Sequence, residues 1–292
     1  MTPSASSTSG HLSIGRIGLY CFLLSAALFF ATPLYIIVAT SLKTMEEVRM
    51  GNIFSLPLSP TLAPWVKAWS SACTGLTCNG IGTGFANSVK IVLPSISFSI
   101  LIGALNGYAL AHWKLKRAGS IMLFLMLCTF IPYQTLLYPM VKMYSSVGLY
   151  STLPGIILVH VTFGIPVATL IFRNFYAGIP EDLVKAARMD GAGFFRSFFS
   201  IMLPMSKSII IVAVILKFTA IWNDFLLGLI FAGRENLPMT IQLNNIVNTQ
   251  MGEKEYNVDM AATLLTAIPP LLVYFISGRY FVRGITAGAV KG

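Results

Sequence analysis

An all-α integral membrane protein is the fold class that the sequence predicts, on three observations. Hydrophobic residues make up 55% of the 292 and charged residues 10%, and the mean hydropathy is +0.76, outside the range of soluble domains. The apolar residues collect into six runs, each near the roughly 20 residues that a helix needs to cross a bilayer. Those runs do not alternate, and lipid offers the backbone no partner, so helices are favoured over a barrel. Six transmembrane helices in one bundle are expected, at 17–41, 86–112, 120–143, 153–177, 206–231 and 259–282.

Residues 1–16 read as a Ser-rich flexible tail and 17–292 as a single membrane domain. The first apolar run is too long for the core of a signal peptide and no A-x-A-like site follows it, so it is expected to stay as a span. The net charge of +10 is scattered through the connections and forms no basic face, which argues against a nucleic-acid partner. Topology accounts for it. With the N-terminus inside, twelve Lys and Arg fall on the inner side, seven on the outer, and Lys217 remains within a span. Both termini and the loop at 179–204 are then cytoplasmic.

The first outer connection, 42–85, holds Pro57, Pro60 and Pro64, then an amphipathic piece with Trp65 and Trp69 suited to the membrane interface. Cys73 and Cys78 follow on the oxidising side, and Gly75 between them permits a turn, so a disulfide is expected. Cys21 and Cys128 lie in apolar runs and read as packing residues. In the second span Gly103, Ala104 and Gly107 form a small-residue stripe for close helix packing. Asn106 beside them serves either a helix–helix hydrogen bond or a pathway.

Pro132 and Pro139 predict a kink in the third span, where Tyr133, Gln134 and Tyr138 either wall a solute path or satisfy the carbonyls that a kink frees. His160 in the fourth span has no second His or carboxylate in register, so it reads as an interior hydrogen-bonding residue and no metal site is expected. The loop at 179–204 is the most charged stretch. Pro180, Glu181 and Asp182 signal a helix start and Gly191 its stop, so that 183–189 can show a small-residue face, and a second helix is expected over 194–202, closed by Pro204. Lys217 and Asp224, seven positions apart, are expected two turns apart on one face of the fifth helix, too far to pair. Intramembrane charge is costly and usually functional. The outer connection 232–257 is rich in amides, among them Asn236, Gln242, Asn244, Asn245, Asn248 and Gln250, which offer the donors and acceptors that hydroxyls need.

A resemblance now enters. Ala186 and Ala187, then Asp190, Gly191 and Ala192, then Leu203 and Pro204 resemble the EAA loop of the membrane subunits of binding-protein-dependent ABC importers. Asn87, Ser88 and Val89, and the run from Tyr108 to Ala111, are similar to that family's second span, with His112 where Arg is more usual. Trp222, Asn223, Asp224 and Phe225 are close to the signature of its carbohydrate branch, as are residues 288–292. The resemblance implies a type I ABC importer permease fold whose loop docks into a cleft of a separate ATPase. The coupling residues would be Glu181, Lys185, Ala186, Ala187, Asp190, Gly191, Leu203 and Pro204. Lys185 stands where the family usually has Glu, which implies a partner cleft matched to this chain.

The substrate path or gate would use Asn106, Tyr133, Gln134, Lys217, Trp222, Asn223 and Asp224. Contact with a periplasmic binding protein would use Gln242, Asn244, Asn245 and Asn248. The implied partners are a second permease subunit in a hetero-dimer, two ATPase subunits, a sugar-binding protein, a sugar and membrane lipid, in a bacterial inner membrane. Overall likeness leans toward permeases for glucose or mannose. No Gly-Lys dipeptide occurs, so there is no P-loop, and ATP and Mg would belong to the partner ATPase, with no cofactor on this chain. HExxH and G-x-S-x-G are absent too, and no catalytic residues are expected. The rival readings are an ion-coupled secondary transporter, a membrane-embedded enzyme and an ABC permease for a non-sugar solute.

Overall fold

The computed structural model describes residues 14–75, 77–113, 115–248 and 253–289. Most of them are helical, joined by turns and irregular segments, with no strand among the described residues. α1 is Ile14–Ser41, followed by the short α2 (Met45–Met50) and α3 (Ala63–Ser70), then α4 (Gly82–His112) and α5 (Ala118–Phe130). A 3₁₀ turn at Tyr133–Leu136 leads into α6 (Leu137–Ser146) and α7 (Leu153–Tyr176). α8 (Glu181–Met189), α9 (Phe194–Ser197), a π-helical turn at Phe198–Met202 and α10 (Leu203–Met205) form the loop that sequence marks as charged. α11 (Lys207–Trp222), α12 (Leu226–Phe231), α13 (Met239–Asn248) and α14 (Tyr256–Ala289) complete the chain.

Among the described residues four helices, α1, α4, α7 and α14, are long and apolar enough to cross a membrane alone. The third expected span is bent, as Pro132 and Pro139 predict, and a second bend falls at Ser206, where the fifth expected span begins. α5 meets the Tyr133–Ser146 segment at 91°, and Phe194–Met205 meets α11 at 78°. Counting each bent pair as one span gives up to six. Proline explains the first break: Pro132 has no N–H to give and holds Ile131 extended, at ψ 120°. At the second, Pro204 lies inside α10 instead of closing a helix, and the turn falls at Ser206. There the Ser206 hydroxyl takes the Met202 carbonyl at 2.6 Å in place of a backbone donor. α1 begins at Ile14; residues 1–13, most of the expected tail, lie outside the described residues.

α4 and α7 form the spine of the bundle. Their contact follows from small residues on one face of α4, because helices in lipid associate through close packing rather than hydrophobic burial. A Cβ added at Gly107 would stand 2.7 Å from the backbone nitrogen of Arg173, and one at Gly103 would collide with the Cβ of Ala168. Ser88, Ser95 and Ser99 continue that face, all fully buried. Thr152 caps α7 by accepting from Gly155 N at 3.1 Å, and Pro154 sits in the first turn where an N–H has no partner anyway.

α14 closes the other side of the bundle against α1, α3 and α11. It contains Pro269 and Pro270, and Pro270 cannot donate to the carbonyl of Thr266, four residues back. The indole Nε1 of Trp222 takes that carbonyl at 3.0 Å. Trp222 is 1% exposed and stacks on Phe218 with ring centroids 5.4 Å apart. The tryptophan therefore repairs a proline gap in a neighbouring helix.

Candidate functional site

Residues from α5, the turn after it, α7 and α11 surround a cavity of about 520 Å³. Tyr133, His160, Lys217 and Asp224 supply its polar wall, and Phe124 and Phe163 are among the apolar residues that line it. Lys217 is 9% exposed, and no carboxylate lies within ion-pair distance of it among the described residues. His160 is 7% exposed and shares the wall. A buried ammonium and a buried imidazole without a carboxylate partner are rare outside functional interiors.

Of the seven path residues expected from sequence, three converge here: Tyr133, Lys217 and Asp224. The other four do not line this cavity. Trp222 is the core pin described above, Asn223 is the exposed residue that ends α11, Gln134 is exposed, and Asn106 is half-buried on α4. The expectation that Lys217 and Asp224 share one helical face is also corrected, because α11 ends before Asp224 is reached. Asp224 instead accepts from the backbone N–H of Gly228 at 2.9 Å and starts α12. The break at 223–225 turns its carboxylate to the cavity from a separate helix start. His160 is the residue that sequence assigned to structure alone; nothing in its spacing announces the cavity.

At one end of the bundle α8 lies with Val184 and Ala187 buried at 4% and 6%. Ala186 faces out while Ala187 packs inward, so the two alanines of the motif have different tasks. Leu183, Met189, Phe195 and Phe199 are exposed apolar side chains on the same loop, with Phe195 and Phe199 edge-on to Phe194 and Phe198. Gly191 has φ +77°, and the turn around it is a Schellman motif: Ala192 N donates to Ala187 O at 2.9 Å and Gly191 N to Arg188 O at 3.0 Å. An L residue is strained in that conformation, which is the local reason for Asp190 being followed by Gly191.

Lys185 does not present a bare reversed charge. Its ammonium lies 3.1 Å from Asp182 and 3.4 Å from Glu181 on the same helix. The hydrogen bond to Asp182 and the two carboxylates hold it above its ordinary pKa. Glu181 is thereby engaged within α8, Leu203 is half-buried against the core, and Pro204 is exposed.

At the opposite end α13 carries the amides. Gln242 is 8% exposed, with its Oε1 accepting from Gly84 N at 2.9 Å and its Nε2 donating to Thr83 at 3.1 Å. That removes it from the outward-facing contact set: it binds α13 to the start of α4. Asn244 and Asn248 are exposed, and the Asn248 amide donates to the Asn244 carbonyl and side chain at 2.8 and 2.9 Å. Asn245 is half-buried. Gln250 lies outside the described residues. Asn87 and Ser88 secure the same segment, the first donating to Glu235 O at 2.9 Å and the second accepting from Met239 N at 2.9 Å. Cys73 and Cys78 are joined in a disulfide, with Gly75 at φ 102° in the turn between them. Nearby ion pairs link Arg49 to Glu253 and Lys67 to Glu255, each at 2.5 Å. No group of His, Cys, Asp and Glu suited to a metal occurs among the described residues.

Comparison with known proteins fits this architecture. The chain is 35% identical over 284 residues to a "Probable ABC transporter permease protein" of Pyrococcus horikoshii, covering 97% of this chain and 99% of that one. It is 36% identical over 258 residues to the alpha-glucoside transport system permease protein of Rhizobium meliloti, covering 85% of this chain and 66% of the relative. A crystal structure of a bacterial ABC transporter involved in import of the acidic polysaccharide alginate matches the fold with a TM-score of 0.76 at 20% identity, covering 96% of this chain and 100% of that one. Residues 90–287 match the family described as binding-protein-dependent transport system inner membrane component. The chain belongs to that family: it is an ABC importer permease, a membrane translocation subunit and not an enzyme.

Proposed function

We propose that this permease is one transmembrane half of an ATP-driven sugar importer and that its solute passes the cavity walled by Tyr133, His160, Lys217 and Asp224. The convergence of those four polar residues from separate helices is the observation that carries the reading. An ammonium, a carboxylate, an imidazole and a phenol together offer donors and acceptors to hydroxyls, and the rings of Phe163 and Tyr133, 5.9 Å apart, offer an apolar face to a pyranose. The alpha-glucoside relative supports a sugar as the solute. A second, different permease subunit completes the path, and a periplasmic sugar-binding protein delivers to the end where Asn244, Asn245 and Asn248 stand.

Two ATPase subunits hold the ATP and Mg, and this chain holds no cofactor. Each grips a loop of the 179–204 type, through the face of Leu183, Ala186, Met189 and Asp190 here, in the cytoplasm. Both termini lie on that side. Closure of the ATPase dimer moves the loop as a rigid body, and the helices follow.

The test is uptake of a labelled glucoside into proteoliposomes that hold the whole complex. Uptake should require ATP hydrolysis and the binding protein, and Lys217→Met should lower it about tenfold, roughly 1.4 kcal/mol, without loss of assembled complex. Uptake that persists when the ATPase is inactivated would instead favour an ion-coupled transporter, and Lys217→Met at full rate would remove the cavity from the path.

A further inference from the structure

The carbonyls at the C-terminus of a helix have no partner within it. At the α8 end of the bundle two helices finish side by side, and side chains from elsewhere take up their last carbonyls. Arg188, on α8, donates from Nη2 to the carbonyl of His112 at the end of α4, at 3.2 Å. Its guanidinium also lies 4.7 Å from the ring centroid of Trp113, a cation–π contact to which a planar guanidinium is well suited.

His112 passes the connection on. Its Nε2 lies 2.9 Å from the carbonyl of Tyr176 at the end of α7, and since a carbonyl only accepts, Nε2 carries the proton. The same carbonyl accepts from Ile179 N at 2.9 Å, where the charged loop starts. The Tyr176 hydroxyl meets Ser206 at 2.9 Å, where that loop ends. Tyr176 and Ser206 are fully buried and His112 is 7% exposed.

An aromatic cluster fills the space between these bonds. Phe194 stacks on Tyr108 with centroids 5.0 Å apart and meets Trp113 edge-on at 5.0 Å. Phe198, at 0% exposure, lies 5.9 Å from Tyr108. Phe198 opens the π-helical turn, an element that is rare and recurs at functional places. Arg188 from α8, and Phe194 and Phe198 beyond it, therefore reach the same end of α4.

We infer that Arg188, His112 and Tyr176 form a latch that transmits displacement of α8 to α4 and α7. The inference rests on the reading that an ATPase grips this loop. His112 and Arg188 are positioning residues: neither faces the cavity, and the latch runs through α4 rather than along the chain from α8 to α7. Val184 and Ala187 also pack α8 onto the core; the latch is the polar tie from α8 to the ends of α4 and α7.

The experiment is hydrogen exchange on the purified complex with its second permease and ATPase subunits, with and without MgATP and orthovanadate. In the native complex, exchange should change both in α8 and in the last two turns of α4 and α7. His112→Leu should keep the change in α8 and lose at least half of that in α7, and His112→Gln, whose amide can still donate, should restore it. Arg188→Lys, which keeps the charge and loses the planar fork, should cut the response of α4 in the same way. Native responses in α4 and α7 in both variants would overturn the latch. Loss of the ATPase subunits from the Arg188→Lys complex would also overturn it, by making Arg188 a direct contact of the partner. A native complex whose α8 does not respond at all would remove the docking reading and the latch together.

Discussion

The hydroxyls of Tyr176 and Ser206, thirty residues apart in the chain, lie 2.9 Å from each other in the interior. One tyrosine thereby holds both ends of the charged loop, the start through its carbonyl and Ile179 N, the end through its hydroxyl and Ser206. Tyr176→Phe should keep the ring packing against Phe172 and Tyr108 and lose only the second tie. A buried hydrogen bond of that kind contributes about 0.5–1.5 kcal/mol. Limited proteolysis should therefore cut between residues 190 and 206 several-fold faster in the variant, while its thermal unfolding in detergent falls by only a few degrees.

Gly191 tests backbone conformation apart from side-chain contacts. Nothing lies within 4 Å of a Cβ added there, so the requirement is its φ of +77° alone. Asn visits this region at small cost, whereas a β-branched residue does not. Gly191→Asn should retain most transport, and Gly191→Val should lose it about tenfold with the chain still inserted in the membrane, as judged by uptake assay and membrane immunoblot. Equal activity of the two would show that the Schellman turn is dispensable.

Trp222 and Pro270 should behave as a coupled pair. Trp222→Phe leaves the Thr266 carbonyl buried without a donor, a loss of about 1–3 kcal/mol. Pro270→Ala in the same chain supplies a backbone N–H four residues on and should recover part of that loss. A double-mutant cycle on thermal unfolding in detergent reads this directly. Strictly additive effects would mean that an N–H at position 270 does not replace the indole bond to Thr266 and would sink the proline-gap reading.

The amides of α13 divide by burial. Gln242→Leu removes bonds to Gly84 and Thr83 inside the bundle and should lower stability by about 1–3 kcal/mol, with binding-protein affinity unchanged in complexes that survive. Asn244→Asp and Asn248→Asp change exposed groups and should do the reverse, shifting affinity for the binding protein and leaving unfolding unaltered. Calorimetric unfolding and binding titration separate the two cases. Affinity lost in Gln242→Leu alone would return that residue to the outer contact surface.

Much was legible from residues alone, for identifiable reasons. Apolar run length announced the spans because a bilayer sets the length of a helix. Gly103 and Gly107 announced a close helix approach but not that α7 is the partner, where a Cβ at Gly107 would stand 2.7 Å from a backbone atom. Pro180, Glu181, Asp182 and Gly191 marked the ends of α8 because caps act within one turn. The break at Pro132 was readable for the same local reason, though its angle of 91° was not.

What only the tertiary structure decided are relationships across the chain. Trp222, beside Asp224 in a motif, turned out to fill a gap made by Pro270, because a missing donor in one helix is repaired by whichever side chain packs there. Gln242 lost its outward role because Gly84, far away in sequence, leaves room for its amide. Lys217, Asp224, His160 and Tyr133 became one wall, and His112 joined α8 to α7. Sequence determines the length, caps and breaks of each helix through interactions within a turn or two. Which polar group meets which across the bundle depends on the rotation of one helix against another, and packing alone sets that rotation.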